Sequence, residues 1–368
     1  MNLSWQFEKK EVDDGPGWNA PVITGFKKNK IKSLTCEVLQ NSLDNPSGSS
    51  SEPVRVVFTQ KHVAKENLPG AGDLKSRIAH ILEQARETES EDAVEEIKGA
   101  LECLSQDQIP YLRVSDFNTT GMSGPDTKGN DFHTYVKTEG SSGGPSTRGG
   151  SHGHGKAAPL TVSDLRAIFV STRYKAEGQL KSLSMGRTTL MCHEIGEYKY
   201  GYHGYWGAHP YRAVEVLPPA YSWMQHPENE TGTTITILGW QKIVHWQARV
   251  IGYAMANYFP AFCRNNLELD VAGEVINQSN FHQKLHDKEF MSLLEKHDDE
   301  AAEALKLARW YVKCLDDESE DVTVELKQLS PLPGNSECRI LVEDSAPRQM
   351  GIIRNNMYIC EARSLGGF

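Results

Sequence analysis

Glu37, Asn41 and Asp44, in the run E-V-L-Q-N-S-L-D, have the residue types and the spacing from which a reactive site can be built. On an α-helix they fall on one face, so a carboxylate, a carboxamide and a second carboxylate project together from apolar surroundings. Such a face can hold a divalent cation and a water. A later run, G-G-S-H-G-H-G-K from Gly149 to Lys156, leads directly into helical sequence. Its glycines, Gly149, Gly150, Gly153 and Gly155, let backbone amides turn toward an anion, the helix start adds partial positive charge, and Lys156 supplies a full one. A phosphate chain is the natural occupant, with Ser151 inside the same loop. Gly150, Gly155 and Lys156 also satisfy the G-x-x-x-x-G-K of a P-loop. Ala157, however, stands where that motif needs Ser or Thr for magnesium, and the preceding sequence is polar rather than a buried strand. His152 and His154, taken with His133 or Cys192, do not make a zinc site. Two histidines inside a glycine loop have no rigid element to fix them in a tetrahedral set.

The elements that must position these groups follow from periodicity. Ile31 to Leu43 reads as a helix, and V-R-V-V-F, with Val54, Val56 and Phe58 alternating, reads as a strand after a turn-rich stretch. Leu74, Ile78, Ile81 and Ala85, then Val94, Ile97, Leu101 and Leu104, mark a helical hairpin over about residues 73 to 105. The strand I-P-Y-L-R-V-S-D ends on Asp116 and opens into the loop F-N-T-T-G-M-S-G, which contains Gly121. A stretch rich in Gly, Ser and Thr then runs to Lys156 and reads as a mobile lid, about 118 to 156. A short helix, A-A-P-L-T-V-S-D-L, precedes the strands R-A-I-F-V-S-T and T-T-I-T-I-L-G-W, the latter carrying Thr233 and Thr234. A helix from Ile243 to Phe259 closes the first domain, residues 1–263. A smaller α/β domain, residues 264–368, follows with the strand L-E-L-D-V, one charged helix from Lys288 to Leu315, and strands near Val322 to Leu326, Arg339 to Val342 and Met357 to Cys360. The class is α+β. The last run, R-S-L-G-G-F, carries no stop signal and is compatible with a longer chain.

Composition narrows the function classes. The 368 residues are 38% hydrophobic, enough for two domains with real cores. With 49 acidic against 39 basic residues the formal charge is -10, which argues against a surface built throughout to grip nucleic acid and leaves direct nucleic-acid binding undecided. The aromatic run Tyr198 to Trp206 reads as a packed hairpin before it reads as a base-stacking platform. Seven scattered cysteines without a C-x-x-C pair suggest neither disulfide framework nor zinc site, and a reducing cytoplasm is expected. Neither a signal peptide nor a membrane-spanning run is visible.

In order along the chain stand E-x-x-x-N on a helix, an Asp ending a strand before a Gly-bearing loop, a glycine-rich loop entering a helix, and G-T-T-I-T-I. From Ile31 to about Leu238 the chain thereby resembles the GHKL ATPases, which include DNA gyrase B subunits, MutL proteins, the ninety-kilodalton heat-shock chaperone and histidine kinases. The resemblance implies a Bergerat-type α/β sandwich, a mixed sheet with helices on one face, with ATP and Mg2+ bound beneath a lid and a transducer-like second domain. It implies that Glu37 is the general base toward water and Asn41 the magnesium ligand. Asp44 would support the nucleotide end of the helix, Asp116 would accept from the adenine amino group, and Thr233, or its neighbour Thr234, would close the adenine pocket. The loop departs from the family's D-x-G-x-G, since Asn118 replaces the first glycine and Gly121 comes one place late. No phosphoacceptor helix precedes Glu37, so the gyrase, MutL and chaperone branches are nearer than the kinases. In those branches ATP closes a homodimer and a second-domain lysine, here Lys327 as one candidate, reaches the terminal phosphate. The runs F-K-K-N-K-I-K-S-L-T-C-E-V-L-Q-N-S-L-D and R-V-S-D-F-N-T-T-G-M also resemble uncharacterised bacterial ATP-binding proteins, some suspected in defence against phage. The expected activity is a magnesium-dependent ATPase clamp with a partner protein or effector downstream. The alternatives are a nucleotide-gated binding module with negligible hydrolysis and an interaction scaffold with a degenerate pocket.

Overall fold

A computed structural model describes residues 3–12, 15–48, 52–139, 155–227, 229–316, 322–327, 336–354 and 356–362. In chain order the first elements are β1 (Leu3–Lys10), α1 (Pro21–Thr24), α2 (Lys30–Leu43), β2 (Val54–Ala64), α3 (Ala71–Thr88), α4 (Glu91–Cys103), β3 (Gln108–Phe117) and α5 (Asp131–Lys137). Then come α6 (Ala158–Thr161), β4 (Ala167–Ala176), β5 (Gln179–Thr189), β6 (His193–Ile195), β7 (Tyr198–Ala208) and β8 (Gly232–Leu238). These belong to one compact unit, Met1–Ile243, to which Asp270–Glu274 returns; Ala272 N–H donates to the Phe58 carbonyl at 2.8 Å.

The strands of this unit form a sheet in the order β1-β7-β5-β4-β8-β3-β2, with β6 beside β7, and the registers from β1 to β2 are antiparallel. Alternation assigns the faces. Tyr111, Leu238 and Ala167 lie on one face with Phe169 and Trp206; Leu112, Val114, Ile237 and Ile168 lie on the other.

The α3–α4 hairpin covers the first face. Its buried Leu74, Ile78, Ile81, Ala85, Ile97 and Ala100 join one apolar core with Tyr111, Phe169, Trp206 and Leu238. Each fully buried Leu or Ile side chain contributes about 1.5–3 kcal/mol, which is what holds the hairpin down. Ser90 starts α4 by accepting from Ala93 N–H. A clasp adds to this: Glu96 of α4 accepts from Arg166 (2.7 Å), Lys27 (2.7 Å) and the Trp18 indole (2.9 Å).

Helix α2 lies over the opposite face. Asn29 caps it by accepting from Lys32 N–H, and Ile31, Leu34, Thr35, Val38, Leu39 and Ser42 form its buried stripe. The expectation of helices on one face therefore needs correction. The hairpin's two apolar stripes require a partner, and the sheet face away from α2 is the one they find.

The second unit comprises Val244–Leu269 and Val275–Phe368. Its elements include α7 (Trp246–Cys263), α8 (Phe281–Leu285), α9 (Lys288–His297) and α10 (Asp299–Cys314), while β9 (Leu267–Val271) and β10 (Glu274–Ile276) are divided, since residues 270–274 belong to the first unit. The hairpins β11 (Val322–Lys327) with β12 (Ser336–Leu341) and β13 (Met350–Arg354) with β14 (Met357–Ala362) complete it. The division falls ahead of α7 rather than at residue 264. This helix is buried almost all round and takes its cover within the second unit, with Phe259 stacked on Tyr311 of α10 at 6.1 Å. The single charged helix expected over Lys288 to Leu315 is two. Asp298 breaks it, accepting from Ala301 N–H as the cap of α10 and from Arg249 (2.7 Å) and Tyr253 (2.6 Å) of α7.

Candidate functional site

Glu37 and Asn41 emerge from the flank of α2 beside its buried stripe, joined by a hydrogen bond from Asn41 Nδ2 to Glu37 Oε1 of 3.0 Å. That bond orients the carboxamide with its oxygen left for a hard cation. Burial raises the Glu37 carboxyl above the ordinary glutamate value; Asn41 and Lys156 oppose the shift, and Asp44 adds to it. Asp44 is the C-cap residue of α2, its N–H donating to the Gln40 carbonyl.

Gly155 sits against the Glu37 carboxylate. A Cβ at residue 155 would lie 1.7 Å from Glu37 Oε2, so no side chain larger than hydrogen fits there without moving the acid. The neighbouring Lys156 is 8% exposed, and its Nζ donates to Thr134 O of α5 at 2.7 Å. Burial and the nearby Arg187 lower its pKa to about 8, against an opposing pull from Glu37. The acidic helix and the glycine-lysine pair thus share one side of the sheet. Gly150, Ser151 and Gly153, with His152 and His154, lie outside the described residues, which omit 140–154 of the expected lid; its first part, 118–139, is described and contains α5.

Asp116 stands at the end of β3 on the face that α2 covers. Its carboxylate accepts from Ser42 Oγ of α2 (3.2 Å), from Thr233 N–H of β8 (2.9 Å) and from the Thr119 hydroxyl. Although the residue keeps some exposed surface, burial is the largest influence on its carboxyl and pushes the pKa up to about 6, with the three donors opposing. Thr233 and Thr234 separate cleanly. Thr233 belongs with Asp116, whereas Thr234 points through the sheet to Ser115 Oγ (2.9 Å) and His226 (3.0 Å).

The loop after Asp116 keeps its turn despite the displaced glycine. Asn118 has φ +59° and Gly121 φ +69°, so Asn118 takes the left-handed conformation that asparagine tolerates. Gly121 is required on a second ground, because a Cβ there would lie 2.1 Å from Arg173 O. Ser47 N–H donates to Asn118 O (2.8 Å) and Thr120 N–H to Asn45 O (3.0 Å), tying this loop to the end of α2.

Several residues at the site were not singled out by sequence. Tyr135 of α5 is buried, its hydroxyl has no hydrogen-bond partner among the described residues, and burial, then Glu37, push its pKa up. Arg187 of β5 and Glu139 line a cavity of about 310 Å³ together with Lys156 and Tyr202. No motif marks them; the available signal is a lone Arg inside the strand sequence S-M-G-R-T-T, too common to act on. Lys327 ends β11 in the second unit, and its side chain is outside the described set. The run Tyr198 to Trp206 is strand β7, with Trp206 in the core and Tyr198 exposed under Lys9 at 3.5 Å. No group of three or more His, Cys, Asp or Glu that could hold a metal occurs among the described residues, and no described helix is long and apolar enough to cross a membrane.

Chemically the arrangement offers a carboxylate with an amide beside it at one end, a lysine next to that carboxylate, and a shielded hydrogen-bond acceptor at the other end. No protein-family model matches the chain, and no curated protein matches it.

Proposed function

We propose that the chain binds ATP with Mg2+ on the α2 face of the sheet and hydrolyses it, in a Bergerat-type arrangement. The observation that carries the reading is the convergence of three separated segments. Glu37 of α2 abuts Gly155 beside Lys156, while Asp116 at the end of β3 is held by α2 and by Thr233 of β8.

In this reading Asp116 accepts from the adenine amino group, which selects adenine over guanine because the position demands a donor. Asn41 would hold magnesium through its amide oxygen, a hard neutral ligand suited to that ion. Glu37 takes the proton of the attacking water. Its raised pKa makes it a stronger base than an exposed glutamate. Lys156 faces the developing phosphate charge, and transfer to water is helped mainly by positioning and charge stabilisation. When bound, the cation would screen the phosphates. By the same resemblance, ATP would close a homodimer whose switch is passed to a partner, in defence or in a DNA transaction.

Calorimetry with a non-hydrolysable ATP analogue and magnesium, together with turnover of the Glu37→Ala protein, tests the proposal. Saturable binding to both proteins, with hydrolysis lost in the variant, is expected. Absence of binding by the unaltered chain refutes it.

A further inference from the structure

Arg187, His203 and Tyr202 converge on the carboxylate of Glu139. Arg187 Nη2 is 3.0 Å from Oε1, His203 Nε2 is 2.9 Å from Oε1, and the Tyr202 hydroxyl donates to Oε2 at 3.1 Å. Two donors, Arg187 of β5 and Tyr202 of β7, therefore form an oxyanion cradle in which the protein's own carboxylate sits; the His203 imidazole lies beside them, close to the carboxylate but without hydrogen-bond geometry.

Two features indicate that the carboxylate is a stand-in. Arg187 is 2% exposed, yet its Nε has no hydrogen-bond partner among the described residues, so of the edge it shares with Nη2 only Nη2 is engaged by them. Glu139, with Oε1 on Nη2 and Oε2 on the Tyr202 hydroxyl, does not reach that donor. A phosphoryl group has a further oxygen and can take Nε and Nη2 together as a fork. Glu139 itself is much less enclosed: its side chain is 36% exposed against 3% for Arg187, so it can leave while the cradle stays.

The adjoining cavity of about 310 Å³ is lined by Lys156 and Arg187 with Thr138, Glu139 and Tyr202, so a second cation faces the same space. The two cations feel one another, since Arg187 is among the causes that lower Lys156. An arriving dianion relieves that repulsion.

We propose that Arg187, His203 and Tyr202, with Lys156 across the cavity, form a binding site for a phosphoryl dianion, which Glu139 occupies as an internal competitor when no ligand is bound. The recognised chemistry is a tetrahedral oxyanion, supplied either by inorganic phosphate or by the end of a nucleotide's phosphate chain. The phosphate titration stands without the ATPase reading.

The test is calorimetric titration of the full chain with inorganic phosphate, alone and after saturation with a non-hydrolysable ATP analogue and magnesium. Glu139→Gln removes the competitor's charge and is expected to tighten phosphate binding by about fivefold or more. Arg187→Gln is expected to weaken it by about tenfold or more. Because Arg187→Gln leaves Glu139 without its ion pair, the Glu139→Gln/Arg187→Gln double variant and Tyr202→Phe, which loses only a hydroxyl, guard against misfolding. Both should bind phosphate more weakly than Glu139→Gln and the unaltered chain respectively. Competition between phosphate and the analogue identifies the nucleotide's terminal phosphoryl as the source; simultaneous binding identifies free phosphate. A Glu139→Gln protein that binds phosphate no more tightly than the unaltered chain overturns the inference, even where nucleotide binding is intact.

Discussion

Replacing Asp116 with asparagine separates what this residue costs the fold from what it does for a ligand. Burial raises its carboxyl from 3.8 to about 6, so holding it ionised at neutral pH costs the folded state at most about 3 kcal/mol relative to the unfolded chain. The sign follows from the direction of the shift. A carboxyl raised on folding is fully favourable below 3.8, and that advantage disappears as pH climbs through about 6. Asparagine carries no such charge, and the surroundings suit it. Its oxygen can accept from Thr233 N–H and Thr119. Its NH2 can donate to Ser42 Oγ, whose own proton goes to Val38 O at 2.9 Å. Urea denaturation of both proteins from pH 4 to pH 8 should show Asp116→Asn gaining on the unaltered chain as pH rises, by about 1–3 kcal/mol at pH 7.5 and little at pH 4. Adenine nucleotide binding should fall in the same variant, because an NH2 or a misdirected oxygen meets the adenine amino group. A stability difference that is flat across this pH range refutes the reasoning, since it removes the buried charge as the cause.

The other expectations concern the acid and its neighbours. Gly155→Ala places a methyl 1.7 Å from Glu37 Oε2 and must swing the carboxylate aside, so turnover should drop by about tenfold or more with the circular dichroism spectrum unchanged. Glu37→Gln should retain nucleotide affinity and lose about 10²–10⁴-fold in turnover, measured by phosphate release. Because the Glu37 carboxyl is raised, turnover should be full at alkaline pH and fall on acidification at a pH above that of an ordinary glutamate; an acid limb at the ordinary value contradicts the burial argument. Asn41→Ala should weaken nucleotide binding with magnesium present and have little effect with EDTA, as followed by calorimetry.

Much of the α2 face is legible in the chain itself because local rules govern it. The E-x-x-x-N spacing works wherever a helix forms, and Asn29 with the stripe from Ile31 to Ser42 secures that helix. Alternation along R-V-S-D fixes which side of β3 carries Asp116, and the same rule parts Thr233 from Thr234. The Glu139 cradle is not legible. Arg187, His203 and Glu139 are brought together by the pairing of β5 with β7 and by the chain path after α5, and no periodicity records such long-range registers. The break at Asp298 was within reach, since Asp with a free N–H three residues on is a cap signal. Charge on both sides of it simulates one continuous helix. The hairpin's destination could not be read because apolar stripes specify that a face is buried and not against what.

The parity of β3 restricts how this strand can vary by insertion or deletion. Neighbouring side chains serve opposite compartments: Ser115 belongs to the hydroxyl and histidine network with Thr234, and Asp116 to the α2 side. Losing or gaining a single codon between Gln108 and Phe117 would exchange the two compartments' contents wholesale, planting a carboxylate in the hydroxyl and histidine network and a serine where the acceptor stood. Length changes here are tolerable only in twos, or where a bulge absorbs the odd residue.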